Sequence, residues 1–133
     1  MNKNKLSKIC EKAEDDYFSL TADERAAYNV KNVIDAVTGK GLLSFYESSG
    51  GDYAEDAVED LYSMGMDEVA FVMENANSLF PGGYPDEELD VRIEIIEDWE
   101  HEYDLLYDQW NDDIMEFLIP LEETLEQLLE KLG

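Results

Sequence analysis

Acidic residues are concentrated in one part of this chain of 133 residues, and this segregation limits how the chain can fold. Residues 41–130 contain 27 Asp and Glu residues but only one basic residue, Arg92. Residues 1–40 contain seven basic and seven acidic residues, so they carry no formal net charge. Nearly all of the formal net charge of −25 therefore belongs to two thirds of the chain. This distribution indicates one charged surface, because adaptation to a solvent such as high salt would make the whole chain acidic.

The excess of negative charge indicates which kind of partner the protein binds. Repulsion among so many carboxylates costs stability, and their summed field attracts basic molecules while it repels nucleic acid and anionic membranes. We therefore expect a protein partner with a cationic face, and we expect neither direct binding of nucleic acid nor binding to a membrane.

Length and apolar content predict one folded domain, residues 1–133. A chain of this size buries roughly two thirds of its unfolded surface, and 44% of its residues are hydrophobic. This apolar content argues against disorder, which high net charge otherwise favours. Cys10 is the only cysteine, which excludes an intrachain disulfide. The first residues lack the pattern of a signal peptide and no apolar run approaches the roughly 20 residues of a membrane span, so we expect a cytoplasmic protein.

Apolar residues recur at spacings of three and four, which predicts an all-α fold of about six to eight helices. No segment alternates apolar and polar residues as a strand does. In the charge-neutral residues 1–40 the spacing predicts a helical pair, and Thr21 and Glu24 form a capping box for its second helix. In the strongly acidic residues 41–133 a second helix pair is predicted, with a tight turn at Gly65.

Four further features are predicted in the acidic portion. Asp52 and Asp86 each follow a loop that contains glycine, and each is expected to cap the helix that comes next. The series of inward-facing residues misses a step at Glu100, which predicts a break or kink near residues 99–101. Pro120 is expected in the first turn of the last helix.

Carboxylates recur at every fourth residue in two rows, and these rows are the candidate partner-binding surface. The first row is Asp86, Asp90, Glu94, Asp98 and Glu102, and the second is Glu100, Asp104, Asp108, Asp112 and Glu116. On a helix, each row forms a ridge of negative charge with about 6 Å between steps. Like charges at this spacing destabilise a helix by roughly 0.2–0.5 kcal/mol per pair, so the rows carry a cost unless a partner uses them. A protein that normally binds phosphates is such a partner.

Further carboxylates are needed for the surface to approach the charge density of DNA. Duplex DNA carries one charge per roughly 1.7 Å of axis, so several neighbouring rows are required. The additional candidates are Glu55, Asp56, Glu59 and Asp60, followed by Glu122, Glu123, Glu126 and Glu130. An amphipathic helix also exposes charged residues without any partner. The near absence of Lys and Arg among the rows favours a binding surface over that alternative.

No residue pattern predicts catalysis, a cofactor or a specific metal site. His101 is the only histidine, and its acidic neighbours favour the protonated ring rather than a base that activates a nucleophile. Cys10 lies on an apolar helix face, where a packed thiol is expected. Gly39-Lys40-Gly41 lacks the rest of a phosphate-binding loop, and no loop has the EF-hand pattern. We therefore expect a protein that is not an enzyme and that has no cofactor.

A pattern of glycine, aromatic and polar residues extends from about Val33 to Trp110. It consists of Gly41, Phe45, Tyr46, Ser49, Gly50, Asp52, the run Ala-Asn-x-Leu-Phe-Pro that begins at Ala76, and Arg92. In these residues the chain resembles, as a divergent member, the bacterial DMP-type DNA-mimic family, a domain of unknown function with an Asn-Gly-Gly-Phe-x-Gln signature. The signature is altered here, with Gly39-Lys40 in place of Asn-Gly, Leu42 in place of Phe and Ser44 in place of Gln. The resemblance implies an all-helical, cytoplasmic and often dimeric protein that imitates DNA towards a DNA-binding protein.

Three functions remain open for the carboxylate rows. The first is a DNA mimic that binds the nucleic-acid-binding surface of a basic DNA-binding protein. The second is an immunity or antitoxin protein that neutralises one nuclease-like toxin, and an adjacent toxin gene would favour it. The third is a low-affinity binder of divalent cations such as Ca²⁺ and Mg²⁺. A homodimer also stays open, because the leucines of the last helix face either the core or a second subunit.

Overall fold

Helices make up most of the computed structural model, which describes residues 2–132. The eight α-helices in this range are α1 (Asn2–Asp16), α2 (Ala22–Thr38), α3 (Leu43–Tyr46), α4 (Ala54–Ser63), α5 (Asp67–Asn77), α6 (Leu89–Asp98), α7 (Asp104–Met115) and α8 (Leu118–Lys131). Short 3-10 helices lie at Tyr17–Ser19, Ser49–Tyr53 and Pro81–Gly83. Residues 2–132 contain no β-strand, so the predicted all-α domain is confirmed. No helix in this range is both long and apolar enough to cross a bilayer.

Several predicted helix ends are confirmed. The Thr21 hydroxyl accepts a hydrogen bond from the Glu24 backbone N–H at 3.2 Å, and the Glu24 carboxylate accepts one from the Thr21 N–H at 2.9 Å. This capping box starts α2. Gly65 joins α4 to α5 with a φ of 77°. Glycine suits this position because it adopts the left-handed region without steric cost. Pro120 lies in the first turn of α8, where the missing N–H costs nothing.

The predicted break between the two long acidic helices is also confirmed. Glu100 and His101 have φ angles of 47° and 68°, a left-handed conformation that costs roughly 1–2 kcal/mol per residue for side chains other than glycine. Trp99, just before the break, packs its ring against Phe80 and Tyr107, with centroids 4.9 and 6.0 Å apart. Tertiary packing of Trp99 accompanies a backbone conformation that the local sequence does not favour.

The predicted helix caps at Asp52 and Asp86 are wrong. Asp52 lies inside a 3-10 turn, and its carboxylate binds the guanidinium of Arg92 at 2.7 Å instead of capping α4. A charged donor forms a stronger hydrogen bond than a backbone N–H, which explains this preference. Asp86 does accept a hydrogen bond from the Glu88 backbone N–H at 2.8 Å, but α6 begins only at Leu89. Asp86 therefore stabilises the turn that precedes the helix.

The core consists of two apolar clusters, both of which contact Met64 and Leu125. The larger cluster takes residues from α2, α3, α4, α5, α7 and α8, and the smaller one lies among α1, α2 and α8. On α8 the buried leucines are Leu121, Leu128 and Leu129. Leu125 and Leu132 are partly buried against these clusters, so the leucines of the last helix face the core, whereas Ile119 is 68% exposed.

Candidate functional site

The two predicted carboxylate rows are shorter in the structure because the helix ends interrupt them. The members on helices are Asp90, Glu94 and Asp98 on α6 and Asp104, Asp108 and Asp112 on α7. All six side chains are exposed. Along each helix their steps remain about 6 Å, because four residues of α-helix rise by that distance.

Four predicted members of the rows lie outside the helices. Asp86 is half-buried in the turn before α6, and Glu100 and Glu102 lie in the break between α6 and α7. Glu116 follows the last residue of α7 directly. Glu100, Glu102 and Glu116 are exposed, so they remain candidates for binding, but the prediction that they extend a helical ridge is wrong.

No lysine or arginine neutralises either row in the part of the chain that the structure describes. The ion pairs of Lys and Arg there involve none of the row residues. The Nδ1 atom of His101 lies 2.9 Å from the Asp104 carboxylate. The rows therefore present almost uncompensated negative charge to solvent.

Arg92 explains why the acidic portion exposes no arginine. Its side chain is 0% exposed, although the surrounding helix is acidic. It donates hydrogen bonds of 2.7–2.9 Å to the backbone oxygens of Tyr46, Ser48 and Asp86. It also binds the carboxylate of Asp52 at 2.7 Å. Arg92 thus connects the end of α3 and the turn that follows it to α6, and the Asp52 carboxylate balances its charge inside the molecule.

Asp60 does not belong to the exposed acidic surface, and this part of the prediction is wrong. It is 5% exposed because α4 packs against α2. Arg25 donates hydrogen bonds to its two oxygens at 2.6 and 3.2 Å, and Asn29 donates a third at 2.9 Å. The hydrogen bond with Asp60 raises the pKa of Arg25. Asp60 therefore joins the neutral and acidic portions of the chain.

The other candidates on α4 differ in how accessible they are. Asp56 is half-buried and accepts a hydrogen bond from the Tyr17 hydroxyl at 2.8 Å. Burial is the main cause of the raised pKa of Tyr17. The hydroxyl therefore stays protonated and donates this hydrogen bond. Glu59 is exposed and lies 3.7 Å from Arg25. Glu55 is exposed and forms no ion pair within residues 2–132, so it is the most available carboxylate of this group.

A groove of about 460 Å³ lies beside Glu55, and the sequence did not predict it. The residues that line it are Phe18, Asp52, Tyr53, Ala54, Glu55, Asp56, Tyr84, Pro85, Glu87 and Glu88. Glu87 and Glu88 were missed because they do not follow the four-residue spacing. The sequence signal for them was the acidic run directly after Pro85.

The end of the α7 row is close to residues from the start of the acidic portion. Asp104 and Asp108 line a shallow hollow of about 280 Å³ together with Glu47 and the exposed Lys40. Glu47 adds a carboxylate to this end of the row, whereas Lys40 belongs to the neutral portion.

Within residues 2–132, no three His, Cys, Asp or Glu side chains lie in an arrangement that could hold a metal ion.

Residues that carry the family resemblance lie mostly inside the fold. Asn77 accepts a hydrogen bond from the Tyr46 hydroxyl at 2.6 Å and donates one to the Ala54 carbonyl at 3.2 Å. Phe45 and Phe80 are buried in the larger core cluster. These residues hold α3, α4 and α5 together, whereas the exposed carboxylates form a separate outer layer.

Comparison with known proteins gives one match. A family model described as DMP19-like protein matches residues 18–132. This matched region is longer at both ends than the residue pattern that carries the resemblance, which extends from about Val33 to Trp110. Neither the curated proteins nor the solved structures gave a match to this chain. Because the family model covers most of the sequence and the fold is all-helical, the chain belongs to the DMP19-like protein family.

Proposed function

We propose that this protein is a non-enzymatic DNA mimic whose exposed carboxylates bind the nucleic-acid-binding surface of a basic DNA-binding protein. One observation carries the proposal: α6 and α7 expose rows of carboxylates, while Arg92, the only basic residue of residues 41–130, is buried. Membership of the DMP19-like family is consistent with this role.

The chemistry of DNA binding explains how such a surface competes with DNA. Half or more of the hydrogen bonds in protein–DNA complexes go to the phosphates and sugars, and Lys and Arg provide many of them. Carboxylates on rigid helices offer the same cationic side chains an alternative set of acceptors. The helices fix the backbone that carries these acceptors before binding, so little backbone freedom is lost when the partner arrives.

Charge density decides how much of the surface takes part. One row presents a charge every 6 Å or so, whereas one DNA strand presents a charge every 3.4 Å or so along the axis. A single row is therefore too sparse, and we infer that both rows act together with neighbouring exposed carboxylates such as Glu100, Glu102 and Glu116. Because these charges are exposed, binding weakens steeply as salt is added.

Displacement of DNA tests the proposal. A fluorescent DNA duplex is bound to basic DNA-binding proteins from the source cell, and anisotropy is measured as the acidic protein is added. We expect the anisotropy to fall to that of free DNA at low salt. The triple variant Asp104→Asn, Asp108→Asn and Asp112→Asn should displace DNA less well.

A matched control separates the surface from the total charge. Glu11, Glu14 and Asp15 are exposed on α1, in the neutral portion. Replacing these three residues with Gln, Gln and Asn removes the same charge and should leave the displacement unchanged. Equal loss in both triple variants would contradict the proposed surface, and no displacement from any DNA-binding protein would contradict the function.

A further inference from the structure

The groove beside α4 differs from the carboxylate rows because aromatic rings line it. The ring of Phe18 is 86% exposed, yet it packs edge-on against Tyr17 and Tyr53, with centroids 5.5 and 6.4 Å apart. Tyr17 and Tyr53 stack on each other at 3.4 Å. Phe18 is thus an apolar side chain that stays largely exposed at the surface beside two other rings.

The rest of the groove supplies a second exposed ring and three available carboxylates. Tyr84 is 54% exposed and follows the turn at Pro81–Gly83. Glu55, Glu87 and Glu88 are exposed, and none of them pairs with a Lys or Arg side chain within residues 2–132. The groove therefore combines negative charge with aromatic surface.

A second hollow borders the groove. The second hollow has a volume of about 270 Å³ and shares Glu55 and Tyr84 with the groove. Glu74 also lines the second hollow. We call these two bordering hollows, with linings that include Phe18 and Glu74, the trough. Two bordering hollows of about 460 and 270 Å³ offer more room than a single small cation needs, so they suit a polypeptide segment better.

We propose that this trough binds an extended, arginine-bearing segment of the partner, an inference that rests on the proposed function because it assumes a basic protein partner. A guanidinium group stacks on aromatic rings and forms paired hydrogen bonds with carboxylates, so both features of the trough recognise it. A lysine ammonium group is more strongly hydrated and lacks the planar face. The trough therefore selects arginine over lysine, whereas the carboxylate rows attract either cation.

DNA-binding proteins supply segments of this kind. Many carry flexible arginine-containing arms that enter the minor groove beside the main binding element. When the main element meets the carboxylate rows, such an arm needs its own acidic site. The trough provides that site.

Two fluorescent peptides test the inference with the full-length protein. One peptide alternates arginine and glycine, and the other alternates lysine and glycine. We expect the wild-type protein to bind the arginine peptide about tenfold more tightly, as measured by anisotropy. The double variant Phe18→Ala and Tyr84→Ala removes the two exposed rings but no charge. We expect it to lose most of the arginine preference, because only the carboxylates then distinguish a guanidinium group from an ammonium group.

Matched variants locate the effect in the trough. Phe71→Ala with Leu105→Ala removes two other exposed apolar side chains and should keep the arginine preference. Glu87→Gln with Glu88→Gln should weaken binding of the arginine peptide more than Glu11→Gln with Glu14→Gln, which removes the same charge from α1. Circular dichroism and thermal unfolding verify that each variant folds.

Two results would overturn the inference: equal binding of both peptides by the wild-type protein, or an unchanged arginine preference in Phe18→Ala with Tyr84→Ala. If the wild-type protein displaces DNA in either case, the DNA-mimic proposal stands without the trough. If the arginine preference depends on the rings but no DNA is displaced, the trough stands and the DNA-mimic proposal fails.

Discussion

At the scale of single residues, Arg92 and Asp60 decide which charges face the solvent. Both are charged residues that the acidic composition would place at the surface, and both are buried. Each is satisfied by several hydrogen bonds, which offset the cost of removing a charge from water. Their burial removes a cation from the outer surface of the acidic portion and an anion from the face of α4.

Replacing Arg92 should strongly destabilise the protein. Arg92→Met leaves the Asp52 carboxylate and three backbone oxygens without their donor, and breaking such a buried pair costs about 3–5 kcal/mol. Urea unfolding followed by circular dichroism measures the loss. Lys40→Met makes the same charge change at an exposed site and should shift the free energy of unfolding by less than about 0.5 kcal/mol. Similar values for both variants would contradict the role of Arg92.

The left-handed conformation at Glu100 gives a second prediction. Glu100→Gly relieves about 1–2 kcal/mol of steric cost, from which the greater flexibility of unfolded glycine subtracts about 0.5–1 kcal/mol, so the variant should be slightly more stable. Glu94→Gly removes the same charge from the middle of α6 and should be less stable by about 1 kcal/mol. Thermal unfolding of the two variants gives the comparison, and shifts in the same direction would contradict it.

At the scale of elements, the helices determine how long each carboxylate row is. The four-residue spacing correctly predicted exposed carboxylates on α6 and α7, and the missing step at Glu100 correctly predicted the break between them. The spacing also continued through residues that are not helical, such as Asp86 and Glu102. The spacing of the carboxylates alone therefore did not show where each helix ends, whereas the missing apolar step at Glu100 did.

Reversing the charge of one row should weaken partner binding without unfolding the helix. Asp104→Lys, Asp108→Lys and Asp112→Lys on α7 should reduce affinity for the DNA-binding protein about tenfold or more, because like charges then face each other. The same change at Asp90, Glu94 and Asp98 tests the α6 row. Binding is measured by titration calorimetry and helical content by circular dichroism. A row whose reversal leaves the affinity unchanged would lie outside the interface.

At the scale of the whole molecule, the charge of −25 makes stability and binding respond to salt in opposite ways. Repulsion between carboxylates opposes folding, and salt screens it over distances beyond about 10 Å at 0.1 M. The same screening weakens attraction to a cationic partner.

We therefore expect the melting temperature to rise by several degrees between about 0.05 and 0.5 M NaCl, while partner affinity falls. Differential scanning calorimetry and binding titrations in the same buffers provide the two measurements. The α7 variant with three lysines carries less net charge and should show a smaller rise. A melting temperature that stays constant or falls with salt would contradict the importance of repulsion.

The sequence alone determined the features that depend on nearby residues. These are the helical class, the capping box at Thr21, the turn at Gly65, the break near Glu100 and the segregation of charge. Each follows from spacings of three to five residues or from composition. Hydrogen bonds and side-chain contacts within a helix act over the same short distances, so a single sequence contains this information.

Only the tertiary structure decided which charges are buried and which distant segments meet. The contacts of Arg92 with Tyr46, Ser48 and Asp52 join residues 40 to 46 positions apart. The trough combines Phe18, Glu55 and Tyr84 from three separate segments. Helix packing brings these residues together through apolar contacts elsewhere in the chain, and their own sequence neighbours carry no sign of it. The acidic composition predicted a charged surface, but packing determined its boundaries and placed an aromatic trough within it.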